Sequence, residues 1–169
     1  MRHLPVVAVL LSLSIRGAVA QNTTAPAYPQ IKGYFSVLHP IATLDQDTVI
    51  YNLVNSYTVL VPVGLNLLKS DHIGFSFELA PTIKVENGQD RVTSLLFHPG
   101  ILFRRSHGFT FATRLAFETN GRYGITPIFN QVVVKRTDVS YFVAGSLPAR
   151  FGNNKPGTIG IAVQLGVNF

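Results

Sequence analysis

The stretch Gly157-Thr158-Ile159-Gly160-Ile161-Ala162-Val163-Gln164-Leu165-Gly166-Val167-Asn168-Phe169 decides the fold class of this sequence. Successive side chains of an extended strand point to opposite faces. One face of this stretch therefore carries only apolar residues, namely Ile159, Ile161, Val163, Leu165, Val167 and Phe169. The other face carries small or polar residues, namely Gly160, Ala162, Gln164, Gly166 and Asn168. This division is typical of a strand in a barrel that spans a membrane.

The same alternation recurs upstream, in residues 55–68, 73–85 and 108–119. In residues 73–85, Phe75, Phe77 and Leu79 share one face, whereas Ser76 and Glu78 share the other. Charged residues within these strands thus lie on the same face as the small residues. A soluble barrel would place its apolar face inside, but a narrow barrel needs small side chains inside. We therefore predict that the apolar face points outward.

The pattern from residue 31 onward is strand, turn, strand, without a stretch of helical periodicity. Asn-Gly pairs at positions 87–88 and 120–121 are strong hairpin signals. We predict an all-β fold, an eight-stranded antiparallel up-and-down transmembrane β-barrel. Its strands are expected at residues 31–42, 55–68, 73–85, 92–103, 108–119, 122–134, 138–149 and 157–169. Six prolines inside these ranges remove ladder donors and are expected to mark bulges or strand ends: Pro40, Pro62, Pro81, Pro99, Pro127 and Pro148.

A final amphipathic strand that ends in a C-terminal Phe resembles the closing strand of bacterial outer-membrane β-barrels. Among these, the predicted size resembles the small barrels typified by the transmembrane domain of the OmpA family and by OmpX. The resemblance implies a monomer in the bacterial cell outer membrane, in contact with outer-membrane lipids and lipopolysaccharide. It also implies that the barrel assembly machinery reads Phe169, and that both termini and the short basic turns face the periplasm.

The N-terminal residues have the features of an export signal. An apolar run from Val6 to Ile15 follows Arg2 and is followed by the small-x-small site Ala18-Val19-Ala20. The run is too short to cross a bilayer as a helix, which needs about 20 residues; the alternative is a buried N-terminal helix. We predict a signal peptide at 1–20, a flexible periplasmic lead-in at 21–30 and the barrel at 31–169.

The composition agrees with an exported protein that has no disulfides. The 169 residues include no Cys, 47% are hydrophobic and only 13% are charged. The formal net charge of +6 becomes +4 when Arg2 and Arg16 leave with the signal. The remaining cations lie in short turns rather than in an aromatic-interleaved patch, so we expect no nucleic-acid partner.

Four ionisable residues are predicted to face the interior: Glu78, His98, Arg114 and Glu118. One interpretation is a proton-handling or ligand site, because ionisable groups at membrane depth are often functional. The other is a salt-bridged plug, because the lumen of eight strands is just wide enough to be filled by side chains. Buried charges must be paired, and we favour the plug.

Motifs of lipid-modifying barrel enzymes are absent from the sequence. The lipid A deacylase family carries a His-x-Ser pair, and none of the five histidines here has Ser two positions later. The Gly-x-Ser-x-Gly elbow and metal-type Cys or His spacings are also absent. We expect no enzyme, no catalytic residue, no metal and no cofactor. The expected function is structural or surface-interacting, with a narrow passive pore or transporter, or a lipid-modifying enzyme, as alternatives.

Overall fold

The computed structural model describes residues 27–152 and 154–169, which form twelve β-strands and a 3-10 turn at Ser106–Gly108. The strands are β1 (Gln30–Asp45), β2 (Thr48–Tyr51), β3 (Ser56–Leu60), β4 (Val63–Leu68), β5 (Ile73–Glu86), β6 (Gln89–Phe97), β7 (Gly100–Arg104), β8 (Phe109–Glu118), β9 (Arg122–Lys135), β10 (Ser140–Ser146), β11 (Ala149–Gly152) and β12 (Lys155–Asn168). The predicted signal peptide, and positions 21–26 of the lead-in, lie outside the described residues.

The strands form a closed ring of eight hydrogen-bonded strands, and all pairings are antiparallel. Three members of the ring consist of two consecutive segments each, namely β3 with β4, β6 with β7, and β10 with β11. The first and last strands close the ring, with a register that runs from Tyr34 opposite Asn168 to Asp45 opposite Thr158. The prediction of an all-β antiparallel fold is therefore confirmed, and the predicted count of eight strands becomes twelve segments.

Prolines explain why three ring members are divided. The dipeptides Val61-Pro62, His98-Pro99 and Leu147-Pro148 separate the paired segments. Proline cannot donate to a ladder, but its carbonyl still accepts. Pro62 accepts from Ser36 N at 2.9 Å, and Pro99 accepts from Leu115 N at 2.8 Å. Each proline thus interrupts its strand without opening the ring.

The first long connection contains a strand that the sequence analysis missed. The predicted strands 31–42 and 55–68 left the residues between them as a connection, but β1 extends to Asp45 and pairs with β2 in a hairpin. Asn52 then extends the pairing, because its side chain exchanges two 2.8 Å hydrogen bonds with the backbone of Thr58. An amide group can imitate a strand partner in this way, which sequence periodicity does not reveal.

The alternation of exposed and buried residues agrees with the predicted faces. In β5, Phe75, Phe77 and Leu79 are 42–49% exposed, whereas Ser76 and Glu78 are buried. The outward residues of β12 from Ile159 to Leu165 are likewise 39–60% exposed. The inner face is small or polar where it is most buried, with Ser36, Ser76, Ala80, Ala112, Ala116 and Ala144 at 2% exposure or less.

The segment Gln131–Val134, where apolar and polar residues do not alternate clearly, contains a change of register. Val134 pairs with Tyr141, but the next partner of β10, Phe142, pairs with Val132. Val133 is therefore left without a partner in the ladder, as in a β-bulge. The inserted residue shifts the side-chain alternation by one position, which explains why this strand alternated poorly in sequence.

In the described residues no helix has the length and apolar character needed to cross a membrane.

Phe169 completes the closing pair of strands. Its backbone exchanges two 3.0 Å hydrogen bonds with Gly33, and its ring lies over Gly33, where an added Cβ would meet it at 2.4 Å. Deletion of Phe169 removes both bonds, and each is worth about 0.5–1.5 kcal/mol. We expect a lower free energy of unfolding in detergent and, from the resemblance, less protein in the membrane fraction of expressing cells.

The matched control is Phe169→Leu, which keeps both backbone bonds but removes the aromatic ring. If the aromatic ring of Phe169 is the assembly signal, this variant has a free energy of unfolding close to that of the parent but still accumulates poorly in membranes. Equal membrane amounts of the deletion and the parent would contradict the assembly role.

Candidate functional site

The candidate site is a layer of polar side chains across the middle of the ring, centred on the carboxylate of Glu78. Tyr34 Oη donates to Glu78 Oε2 at 2.7 Å, and Arg114 Nη1 donates to the same oxygen at 2.7 Å. His98 Nδ1 lies 2.9 Å from Oε1. An ionised carboxylate only accepts hydrogen bonds, so three donors surround it. We call Tyr34, Glu78, His98 and Arg114 the central layer; each is at most 6% exposed.

Glycines on the inner face allow the long side chains of the central layer to cross neighbouring strands. Gly64 of β4 pairs with Tyr34 on one side and with Glu78 on the other. The tyrosine ring covers this glycine, and a Cβ there would lie 2.2 Å from Tyr34 Cζ. Tyr34 therefore reaches Glu78 from two strands away only because the strand between them presents no side chain.

The same arrangement positions Arg114. Gly100 pairs with Ser76 on one side and with Arg114 on the other. A Cβ on Gly100 would lie 2.5 Å from Arg114 Cγ, so the arginine side chain crosses the glycine. Its Nη2 then donates to Ser76 Oγ at 2.9 Å, in addition to the bond with Glu78. Each crossing thus joins strands that are not adjacent in the ring.

A second ion pair lies on the far side of His98. Arg150 Nε donates to Glu118 Oε1 at 2.8 Å, and its Nη1 donates to Thr126 Oγ1 at 2.9 Å. Thr126 Oγ1 also lies 3.0 Å from His98 Nε2. The hydroxyl of Thr126 therefore links the second ion pair to the central layer.

The structure brings together Glu78, His98 and Arg114 but places Glu118 in the second ion pair. Glu118 is four residues beyond Arg114 on β8, which is about 13 Å along an extended strand. At that height its nearest cation is Arg150, at 2.8 Å. The predicted four-residue cluster is thus two ion pairs joined by Thr126.

Sequence reasoning missed four contributors to this network: Tyr34, Ser76, Thr126 and Arg150. Ser76 and Thr126 had a usable signal, since Ser76 alternates with Glu78 and Thr126 lies on the inward face of β9. Tyr34 and Arg150 had none, because their partners lie 44 and 24 to 32 residues away and depend on the register of neighbouring strands.

Hydrogen-bond contacts run from Thr126 to His98 and on to Glu78, which is the order of nucleophile, base and acid in a catalytic triad. The threonine oxygen, however, already contacts both His98 and Arg150, and the residue is only 3% exposed. The hydroxyl is therefore already engaged by an imidazole and a guanidinium. The contacts therefore favour a packed network, and the absence of enzymatic activity stays a prediction.

Two cavities lie on opposite sides of the central layer. One, of about 700 Å³, is lined by Tyr34 and Arg114 and opens at the end with the short turns 69–72, 105–108 and 136–139. We call this the short-turn end. The other, of about 220 Å³, is lined by Glu78 and His98 and extends toward the opposite, hairpin end. The central layer thus separates the two halves of the lumen.

The described residues contain no group of three or more His, Cys, Asp or Glu that could hold a metal ion. Comparison with known proteins gave no match, either to a protein-family model or to a curated protein sequence. The resemblance to the OmpA and OmpX class therefore rests on the residues and on the ring alone.

A double-mutant cycle tests the crossing of Tyr34 over Gly64. Gly64→Ala places a methyl group in the space that the Tyr34 ring occupies, so Tyr34 must move away from Glu78. Overpacking of this kind costs about 1–3 kcal/mol. In a Tyr34→Ala background the same methyl group meets open space, and Gly64→Ala is expected to be close to neutral. Denaturant unfolding of the four variants measures the coupling. Equal costs of Gly64→Ala in both backgrounds would contradict the arrangement.

Proposed function

We propose that the chain is an eight-stranded up-and-down β-barrel of a bacterial outer membrane, with a structural or surface-interaction role and a lumen closed by the central layer. The observation that carries the proposal is the inverted distribution of side chains. Large apolar residues are exposed on the outer face of every ring member, whereas the ion pairs Glu78–Arg114 and Glu118–Arg150 and many small residues lie on the inner face. Water would disfavour such an outer surface, and lipid would favour it.

Closure of the ring supports the same proposal. Backbone groups in the hydrocarbon layer must be paired, and only helices and closed barrels achieve this. The pairing of β1 with β12, extended by Gly33 and Phe169, leaves no free edge between the first and last strands.

The surface-interaction role is supported by the hairpin of β1 and β2. This hairpin exposes apolar side chains beyond the ring, with Val49, Ile50, Tyr51, Leu53 and Val54 at 49–76% exposure. Exposed apolar clusters mark contacts with proteins or membranes. At the hairpin end, these residues would face the cell exterior in the proposed orientation.

The location in lipid is tested by arginine substitutions at two depths on the outer face. Leu115 lies in the middle of the ring, next to Arg114, and is 53% exposed. Leu115→Arg is expected to cost about 2–4 kcal/mol in lipid vesicles, and an interfacial site about 0–1 kcal/mol. Val92→Arg is the matched control, since Val92 is 66% exposed near the hairpin end. Denaturant titration in vesicles compares the two, and equal small costs would favour a ring surrounded by water.

A narrow passive pore is the second candidate, because cavities open toward both ends of the lumen. Conductance in planar bilayers separates it from the closed barrel. We expect no channel steps from the parent, and small steps from Glu78→Ala with Arg114→Ala, which removes the ion pair from the central layer. The control, Glu118→Ala with Arg150→Ala, removes an ion pair outside that layer and should stay silent. Channel steps from the parent, equal in size to those of the first variant, would support the pore instead.

A further inference from the structure

The net charge of the described residues lies almost entirely at one end of the ring. The short-turn end carries six cations, namely Lys32, Lys69, Arg104, Arg105, Lys135 and Arg136, against two acidic side chains, Asp71 and Asp138. The hairpin end is balanced, with five of each: Lys84, Arg91, Arg122, Arg150 and Lys155 against Asp45, Asp47, Glu86, Asp90 and Glu118. The excess at the short-turn end is therefore +4.

The cations at the two ends also differ in their partners. At the hairpin end, Lys84 and Arg91 pair with Glu86, and Arg150 pairs with Glu118. Across the described residues, none of the six cations of the short-turn end takes part in an ion pair. Asp71 accepts instead from the hydroxyl of Tyr28. Unpaired cations held close together attract an anion from solution.

Five of these six cations line the 700 Å³ cavity, and Lys69 is the exception. Below this cationic rim, the wall carries the apolar side chains of Leu68, Leu102, Ile128 and Phe142, beside polar ones such as Asn66, Asn130 and Gln164. The floor is Arg114, which pairs with Gly100, four residues along β7 from Arg104 and thus roughly 13 Å deeper. The cavity is deep enough for an organic molecule, and its cations without an ion-pair partner lie at the mouth.

Two buried polar atoms in the lining have no hydrogen-bond partner, namely Arg114 Nε and Asn66 Oδ1. Arg114 is 6% exposed, and its other guanidinium nitrogens are engaged by Glu78 and Ser76. A buried donor without a partner costs free energy unless a ligand or water satisfies it. Both residues line the same cavity, although the unpartnered atoms themselves are shielded from it.

We propose that the cavity of the short-turn end binds an organic anion, with a phosphate or carboxylate group at the cationic rim and an apolar body along the inner wall. The site lies inside the ring, so it requires the closed ring but not a surrounding membrane. The anion is either a soluble metabolite or the head group of an anionic lipid, and the chemistry of recognition is the same.

Calorimetric titration of the purified protein in a non-ionic detergent tests the site with phenyl phosphate as the probe. Phenyl phosphate offers both the anion and the apolar body, whereas inorganic phosphate and benzyl alcohol each offer one. We expect phenyl phosphate to bind about tenfold more tightly than either, and its affinity to fall as salt screens the rim. Absence of phenyl phosphate binding at low salt would overturn the proposal.

Matched variants locate the binding. Lys135→Gln with Arg136→Gln removes two exposed rim cations, and Arg91→Gln with Lys155→Gln removes two exposed cations from the hairpin end. We expect the rim variant to bind phenyl phosphate about tenfold more weakly and the control to bind as the parent does. Arg105→Gln gives a second, independent rim variant, with retention of the fold checked by heat-dependent electrophoretic mobility. Equal loss in rim and control variants would overturn the proposal.

Anionic lipid distinguishes the two sources of the ligand. Phosphatidylglycerol added to the detergent should displace phenyl phosphate from the parent if the site takes lipid head groups. If phenyl phosphate binds equally with and without the lipid, the site takes a soluble anion. Both results support the anion site. Neither measurement depends on insertion into a membrane, so a failure to bind phenyl phosphate would leave the proposal of an outer-membrane barrel standing.

Discussion

The burial of the Glu78 carboxylate is the constraint on which the interior depends. A charge that is 2% exposed is tolerated only when donors replace the water that it has lost. The donors come from three places in the chain, Tyr34 on β1, His98 between β6 and β7, and Arg114 on β8. Because these sites are 20 to 44 residues from Glu78, the carboxylate is satisfied only when β1, β4, β5, β7 and β8 have paired in register. The central layer therefore links local strand formation to the pairing of neighbouring strands.

Residues that weaken ordinary strands make this layer possible. Glycine lowers strand stability and proline removes a ladder donor. Yet Gly64 and Gly100 leave the gaps that Tyr34 and Arg114 cross, and Pro62 and Pro99 lie within two residues of those gaps. Their carbonyls still accept hydrogen bonds from neighbouring strands. In β4 and β7, the weakened part of the strand thus lies beside the positions that the side chains of Tyr34 and Arg114 cross.

The two ends of the ring divide the remaining charge unequally. The hairpin end neutralises its cations with neighbouring carboxylates, whereas the short-turn end leaves its cations around an open cavity. The central layer separates that cavity from the smaller one. A ring crossed by the central layer, with a charged vestibule on one side, accounts for both features. It also makes free passage through the lumen depend on displacing Glu78 and Arg114.

The sequence by itself determined most of the strands and their faces, because alternation of apolar and small residues is a local property that persists along β5, β8 and β12. It also identified Glu78, His98 and Arg114 as inward residues, since they share that periodicity. Only the tertiary structure decided which of them meet. Partners such as Tyr34 for Glu78 and Arg150 for Glu118 are set by strand register, bulges and closure. A shift of one residue in register moves every contact to the opposite face, so no count along one strand could predict them.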